Sequence, residues 1–212
     1  MASDRGTTVQ VLTEKPGCCR LLGGHVQNGE GLKAYQTEVD WMGERVLTLS
    51  DLWPDEPRAM IVGLNPAPAS VAAGHYYQGR SGQRQLLRLA NAGLFARPSA
   101  EEVGFEAAAL RARVGFTDVI KRPTRGERDV SADEVSFGRE VLVRELKSRR
   151  VPLVVCVFRH PVNALLGAGG RPGFQASTTS WGARVFRMPG PFAAASDVEE
   201  VMGVLSQALT PV

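Results

Sequence analysis

Cysteine, histidine and long apolar runs are all scarce in this chain, and each scarcity excludes something. The 212 residues include three cysteines and three histidines. Three thiols cannot pair evenly, and the only two close in sequence, Cys18 and Cys19, are adjacent, where a disulfide is strained. They cannot supply the four thiolates of a typical iron–sulfur cluster, and no C-x-x-C pair suggests zinc. A reducing compartment and no metal are expected. No apolar run approaches the roughly 20 residues that span a bilayer, so no membrane partner is expected. The opening stretch MASDRGTTVQ lacks the basic and apolar segments of a signal peptide, which makes cytoplasmic residence the expectation. Internal repeats and low-complexity segments are missing as well.

What is present is the composition of a globular protein, 43% hydrophobic and 22% charged, at a length that suits one α/β domain better than two. The net charge of +3 is modest, but its arginines cluster. Arg80, Arg84 and Arg88 form one group, Lys121, Arg122, Arg125 and Arg128 a second, and Arg144, Lys147, Arg149 and Arg150 a third. Guanidinium forks suit phosphates, and solvated helix faces carry the same pattern, so an anionic partner is one of two readings.

Residues 1–57 carry no long helical pattern and read as an N-terminal extension. A hairpin is predicted in TEVDWMGERVLTL around Met42 and Gly43, with Trp41, Val46, Leu47 and Leu49 available to cover an edge or face of a larger sheet. Residues 1–31 are expected to be loosely ordered. From Arg58 onward, short continuous apolar strands (AMIVGL, VGFTDVI, LVVCVF, ARVFRM) alternate with helical segments (GQRQLLRLANAGL, SAEEVGFEAAALRAR, SADEVSFGREVLVRELKSRR, PVNALLG, SDVEEVMGVLSQAL). Ser131 with Glu134 and Ser196 with Glu199 have capping-box spacing at two helix starts. The pattern predicts a three-layer α/β/α sandwich over residues 58–212, with a central, mostly parallel four-stranded sheet.

In such sheets ligands sit beyond the carboxyl ends of the strands. Residues 65–79, 121–129 and 189–195 therefore share one rim, with Arg159 and His160 ending the strand between. The first loop, read in IVGLNPAPASVAAGHYYQG, is far longer than a chain reversal needs. It places Asn65 directly after the strand, two prolines behind it, and His75, Tyr76 and Tyr77 between two glycines.

The spacing of Gly63, Asn65, Pro66, Tyr77 and Gly79, followed by LANAGLF, resembles the first motif of the mismatch-specific uracil and thymine DNA glycosylases. VGFTDVIKRPT is similar to that family's second-strand segment, and WGARVFRMPGPFAAAS to its last-strand motif and DNA-penetrating loop. Asn-Pro after a strand is weak alone; three segments in order are far more specific. The resemblance implies a monofunctional glycosylase that flips uracil, or a related mismatched or damaged pyrimidine, out of DNA and hydrolyses its N-glycosidic bond in base excision repair, as a monomer without a cofactor.

By that resemblance Asn65 is the catalytic residue, positioning the attacking water, because an amide orients water without taking its proton. Gly63, Leu64, Pro66, His75 and Tyr77 are the substrate-binding set, Tyr77 stacking on the extruded base. Arg80, Arg84, Pro189, Gly190, Pro191, Phe192, Ala193 and Ala194 are the DNA-binding set. No lysine is placed by the motif to form a Schiff base. Three positions depart from the family pattern: Ala67 replaces a glycine, Gly190 an asparagine, and Ala194 a bulky leucine. The small residue at 194 shifts the role of wedge to Phe192. The alternatives are a nucleotide N-glycosidase or nucleobase-modifying enzyme on the same fold, and a non-catalytic binder of damaged DNA.

Overall fold

The computed structural model describes residues 31–210. Cys18, Cys19 and the expectation of loose order for residues 1–31 lie outside the described residues, Gly31 excepted. A hairpin comes first, β1 (Gln36–Trp41) and β2 (Glu44–Leu49), paired in antiparallel register from Gln36↔Leu49 to Trp41↔Glu44. Met42 and Gly43 both adopt positive φ, 51° and 87°, the handedness a two-residue hairpin turn requires.

The main body follows as β3 (Ala59–Gly63), α1 (Pro68–Ala73), α2 (Arg80–Asn91), α3 (Glu106–Arg111), β4 (Val114–Asp118), α4 (Ala132–Ser148), β5 (Leu153–Cys156), α5 (Arg159–Leu166), β6 (Gly173–Phe174), β7 (Arg184–Arg187) and α6 (Ala195–Leu209). The sheet runs β4-β3-β5-β7-β6, with every pairing parallel except β6 on β7. It therefore has five strands where the sequence pattern predicts four. The fifth is two residues long, too short to show a period, and its Phe174 packs edge-on against Phe186 at 5.0 Å.

Alternate residues of the buried strands feed two cores. Ile61, Phe116, Val155 and Phe186 pack with Leu86, Leu89, Ala109 and Leu205 of α2, α3 and α6. Met60, Val62, Val154 and Val185 pack with Leu142, Leu146 and Val162 of α4 and α5. Helices thus cover both faces, as strands buried on both sides demand. The hairpin docks beside β4: Leu49 enters the first core and Trp41 the second, Val46 is half-buried, and Leu47 stays exposed. Leu52 forms an antiparallel bridge to Phe116, which covers backbone groups of an edge strand that would otherwise stay unpaired.

Ser131 caps α4 in a full capping box with Glu134. The second box does not form. α6 starts at Ala195, its N-cap is Ala194 without a side-chain bond, and the Ser196 hydroxyl faces Asp197. The helix predicted over residues 99–113 shrinks to α3, because Glu102 is used to bind the Ser99 amide and Arg111. α1 was hidden in the long loop: Pro68 starts it at a position where its missing N–H costs nothing.

Candidate active site

The carboxyl ends of β3, β4, β5 and β7 open into a cavity of about 570 Å³, a size typical of small-molecule sites. Its walls come from all four predicted rim segments: Gly63 to Ala67, Thr124 to Glu127, Phe158 to His160, and Met188 with Gly190. The hairpin adds Leu49.

Asn65 leaves β3 with its side chain held at the nitrogen end. Nδ2 donates to Thr124 Oγ1 at 2.8 Å and more weakly to the carbonyls of Thr124 and Pro66, at 3.3 and 3.2 Å. Thr124 Oγ1 in turn donates to the Gly126 carbonyl at 2.9 Å. With both amide hydrogens engaged, the Asn65 carbonyl oxygen is the end left to accept from a water or ligand.

Tyr77 lines the cavity with a backbone φ of +55°, a left-handed conformation that costs a bulky residue free energy. The surroundings hold it there. Tyr77 O accepts from Gln83 Nε2 at 3.0 Å, its ring lies 6.4 Å from Phe116, and α2 approaches so closely that a β-carbon on Gly82 would strike Tyr77. Among the described residues the buried Tyr77 hydroxyl has no hydrogen-bond partner, and burial raises its pKa well above the ordinary phenol value.

Sequence reasoning missed Asp118. It ends β4 beside Gly63, is 5% exposed, and lines the cavity. Burial, opposed by Lys121 and reinforced by Asp51, pushes its pKa up to about 7. The absence of a side chain at Gly63 makes this possible: a β-carbon there would collide with the Asp118 carboxylate and stand 2.8 Å from the Tyr77 hydroxyl. Lys121 lies behind the strand, paired to Asp51 at 2.5 Å and donating to the Asp118 carbonyl at 2.8 Å. Among the described residues no lysine lines the cavity, and no three His, Cys, Asp or Glu side chains group as metal ligands.

Leu64 and Pro66 line the cavity with Gly63, Asn65 and Tyr77. His75 does not. It turns away toward the buried Glu106, 3.5 Å off, and packs edge-on against Tyr35, while Glu106 accepts from the Tyr76 amide at 2.6 Å. His160 does line the cavity, 3.3 Å from Glu127 across the mouth.

A model of the uracil DNA glycosylase superfamily matches residues 50–199, the span that holds the sheet, the cavity and the rim segments. The chain belongs to the uracil DNA glycosylase superfamily. No curated protein matches it. Membership makes this chain a glycosylase-type hydrolase of DNA repair, with DNA as its substrate. The match begins within the segment that follows the hairpin, so Leu49 adds to this glycosylase cavity a side chain from just outside the matched span.

The proposed DNA-facing residues of the glycosylase divide. Phe192 is 86% exposed at the tip of the 189–194 loop, and Arg80 is exposed at the start of α2. Gly190 lines the cavity mouth, Pro189 is buried, and Pro191, Ala193 and Ala194 lie at the surface or half-buried. Arg84 is exposed too, and its Nη1 donates to the Pro191 carbonyl at 3.1 Å. Among the described residues no helix is long and apolar enough to cross a membrane.

Proposed function

We propose that this protein is a monofunctional DNA glycosylase that receives a flipped uracil, or a related mismatched or damaged pyrimidine, in the cavity and hydrolyses its N-glycosidic bond. The carrying observation is the convergence of Asn65, Tyr77 and Asp118 on one cavity at the carboxyl edge of the sheet. An N-glycosidic bond breaks with positive charge growing on the sugar and negative charge on the base. Water adds to C1′ as the C1′–N bond breaks, the base leaves as an anion with the bonding pair, and the proton the water gives up ends on that base.

Each group has a part its geometry supports. The Asn65 carbonyl oxygen, fixed by Thr124, orients the water without carrying a full charge beside the cation. The Tyr77 ring offers its face to the base. Asp118 in its neutral form donates to a carbonyl oxygen of the departing pyrimidine, and in its ionised form accepts from a ring N–H. Phe192, standing free at the loop tip, fills the space the flipped nucleotide vacates, the part its neighbour Ala194 is too small to play.

The test is incubation with duplex and single-stranded oligonucleotides carrying uracil, thymine opposite guanine, hypoxanthine or 5-hydroxymethyluracil, followed by alkali. Release of a pyrimidine, with strands intact before alkali, is expected. Affinity without base release from any substrate would refute the hydrolytic reading, and release from free nucleotides alone would refute the DNA substrate.

A further inference from the structure

The 189–192 loop is held by one helix. Gln85 of α2 is fully buried, and its Nε2 donates to the Pro189 carbonyl at 2.7 Å, 104 residues along the chain. Arg88 Nη1 donates to Gln85 Oε1 at 2.7 Å and to the Gly190 carbonyl at 3.0 Å. Arg84 takes the Pro191 carbonyl. Successive carbonyls of the loop are thus bound by side chains one helical turn apart, which share a face of α2.

The chemistry of the loop makes the arrangement meaningful. Pro189 and Pro191 have no N–H and fixed φ, so the loop cannot join the sheet ladder; the Gly190 carbonyl accepts from the Ala193 amide at 3.1 Å as well as from Arg88, while the Pro189 and Pro191 carbonyls take their donors from α2. No carboxylate pairs with Arg84 or Arg88 among the described residues, although burial and the neighbouring Arg84 both lower the Arg88 pKa. Two like charges are kept together against carbonyl dipoles, at the foot of a loop whose tip is an exposed phenyl ring.

We propose that Gln85 is a positioning residue for the reaction: with Arg88 and Arg84 it holds the 189–192 loop rigid before DNA arrives, so that Phe192 enters the duplex from a fixed base. This rests on the reading of Phe192 as the wedge. A preformed loop avoids an ordering cost at the moment of binding, so rigidity converts directly into duplex affinity. Single-stranded DNA has no stack to fill and gains nothing from it.

The test pairs a measurement on the free protein with one on DNA. Backbone order parameters at Gly190, Phe192 and Ala193 are compared in wild type, Gln85→Leu and Arg88→Ala, the second variant leaving the buried core intact. The rigid range is about 0.85 and the flexible range below about 0.6. Both variants are expected to fall from the first toward the second. Binding is then measured to a duplex carrying a tetrahydrofuran abasic site opposite dG, and to the same strand alone. Gln85→Leu should weaken duplex binding about tenfold, the scale of a lost buried hydrogen bond, and leave single-strand binding within about twofold. Combined with Phe192→Ala it should cost nothing beyond Phe192→Ala itself.

Unchanged order parameters in both variants would overturn the inference whatever the DNA result. Additive losses in the double variant would overturn it too, because Gln85 would then act by another route. A Phe192→Ala variant with wild-type duplex affinity would instead refute the wedge reading, and the two failures are told apart by the order parameters.

Discussion

Asn65 gives its amide nitrogen to the hydroxyl of Thr124, 59 residues further along the chain, at 2.8 Å. That bond decides which end of the amide meets the cavity, and so whether Asn65 presents an acceptor or a donor there. Thr124→Val keeps the shape and removes the acceptor. Single-turnover base release should slow by about tenfold to a hundredfold, and Thr124→Ser should restore it. A full rate in Thr124→Val would mean the amide is oriented by the Pro66 and Thr124 carbonyls alone.

Asn65→Ala removes the group itself. The strand beneath it is buried and paired on both sides, so folding and DNA affinity should be spared while single-turnover release falls by about a hundredfold or more. Wild-type release from this variant would show that Asn65 is no more than the end of a strand.

Asp118 should make the stability depend on pH in a defined direction, and the activity too under the proposed role. Its folded-state pKa is about 7 against an ordinary 3.8, so between those values the folded protein keeps a proton that the unfolded chain has lost. Stability should therefore fall as pH rises from about 4 to about 7 and level off above. Asp118→Asn abolishes that slope and should be the more stable protein at pH 8, by on the order of 1–4 kcal/mol, with the gap closing near pH 4. Urea melts at both pH values check it, and the rate profile of wild type should carry an inflection near 7 that the variant lacks.

Gly63 has no room for a methyl group. Gly63→Ala drives a carbon into the Asp118 carboxylate and the Tyr77 hydroxyl, on a central strand that cannot shift. A loss of about 1–3 kcal/mol in stability is expected, together with loss of base release beyond what the stability change explains. Ordinary activity from a folded Gly63→Ala would place the reacting base away from Asp118.

Tyr77 separates ring from hydroxyl. Tyr77→Ala should lose a stacking contribution of roughly 1–3 kcal/mol, visible as weaker binding of the extruded base as well as a lower rate. Tyr77→Phe removes a buried hydroxyl that has no partner among the described residues, and should gain about 1 kcal/mol of stability with little change in rate. A large rate loss in Tyr77→Phe would assign the hydroxyl to the substrate.

The amino-acid order alone determined the layered sheet, the hairpin at Met42 and Gly43, the capping box at Ser131 and the sharing of one rim by distant loops. These follow from apolar period, turn chemistry and the rule that parallel strands end together, all of which act over a few residues or one repeating unit. The fifth strand, the start of α6 at Ala195 in place of a box at Ser196, and the turn of His75 toward Glu106 were left to tertiary structure. So were the contacts of Asp118, Thr124 and Gln85, whose partners lie across the fold. A carboxylate on a strand reads in sequence as any other strand end. It becomes a titrating group near neutral pH only when neighbouring strands, a glycine beside it and a lysine behind it fix how much water it keeps.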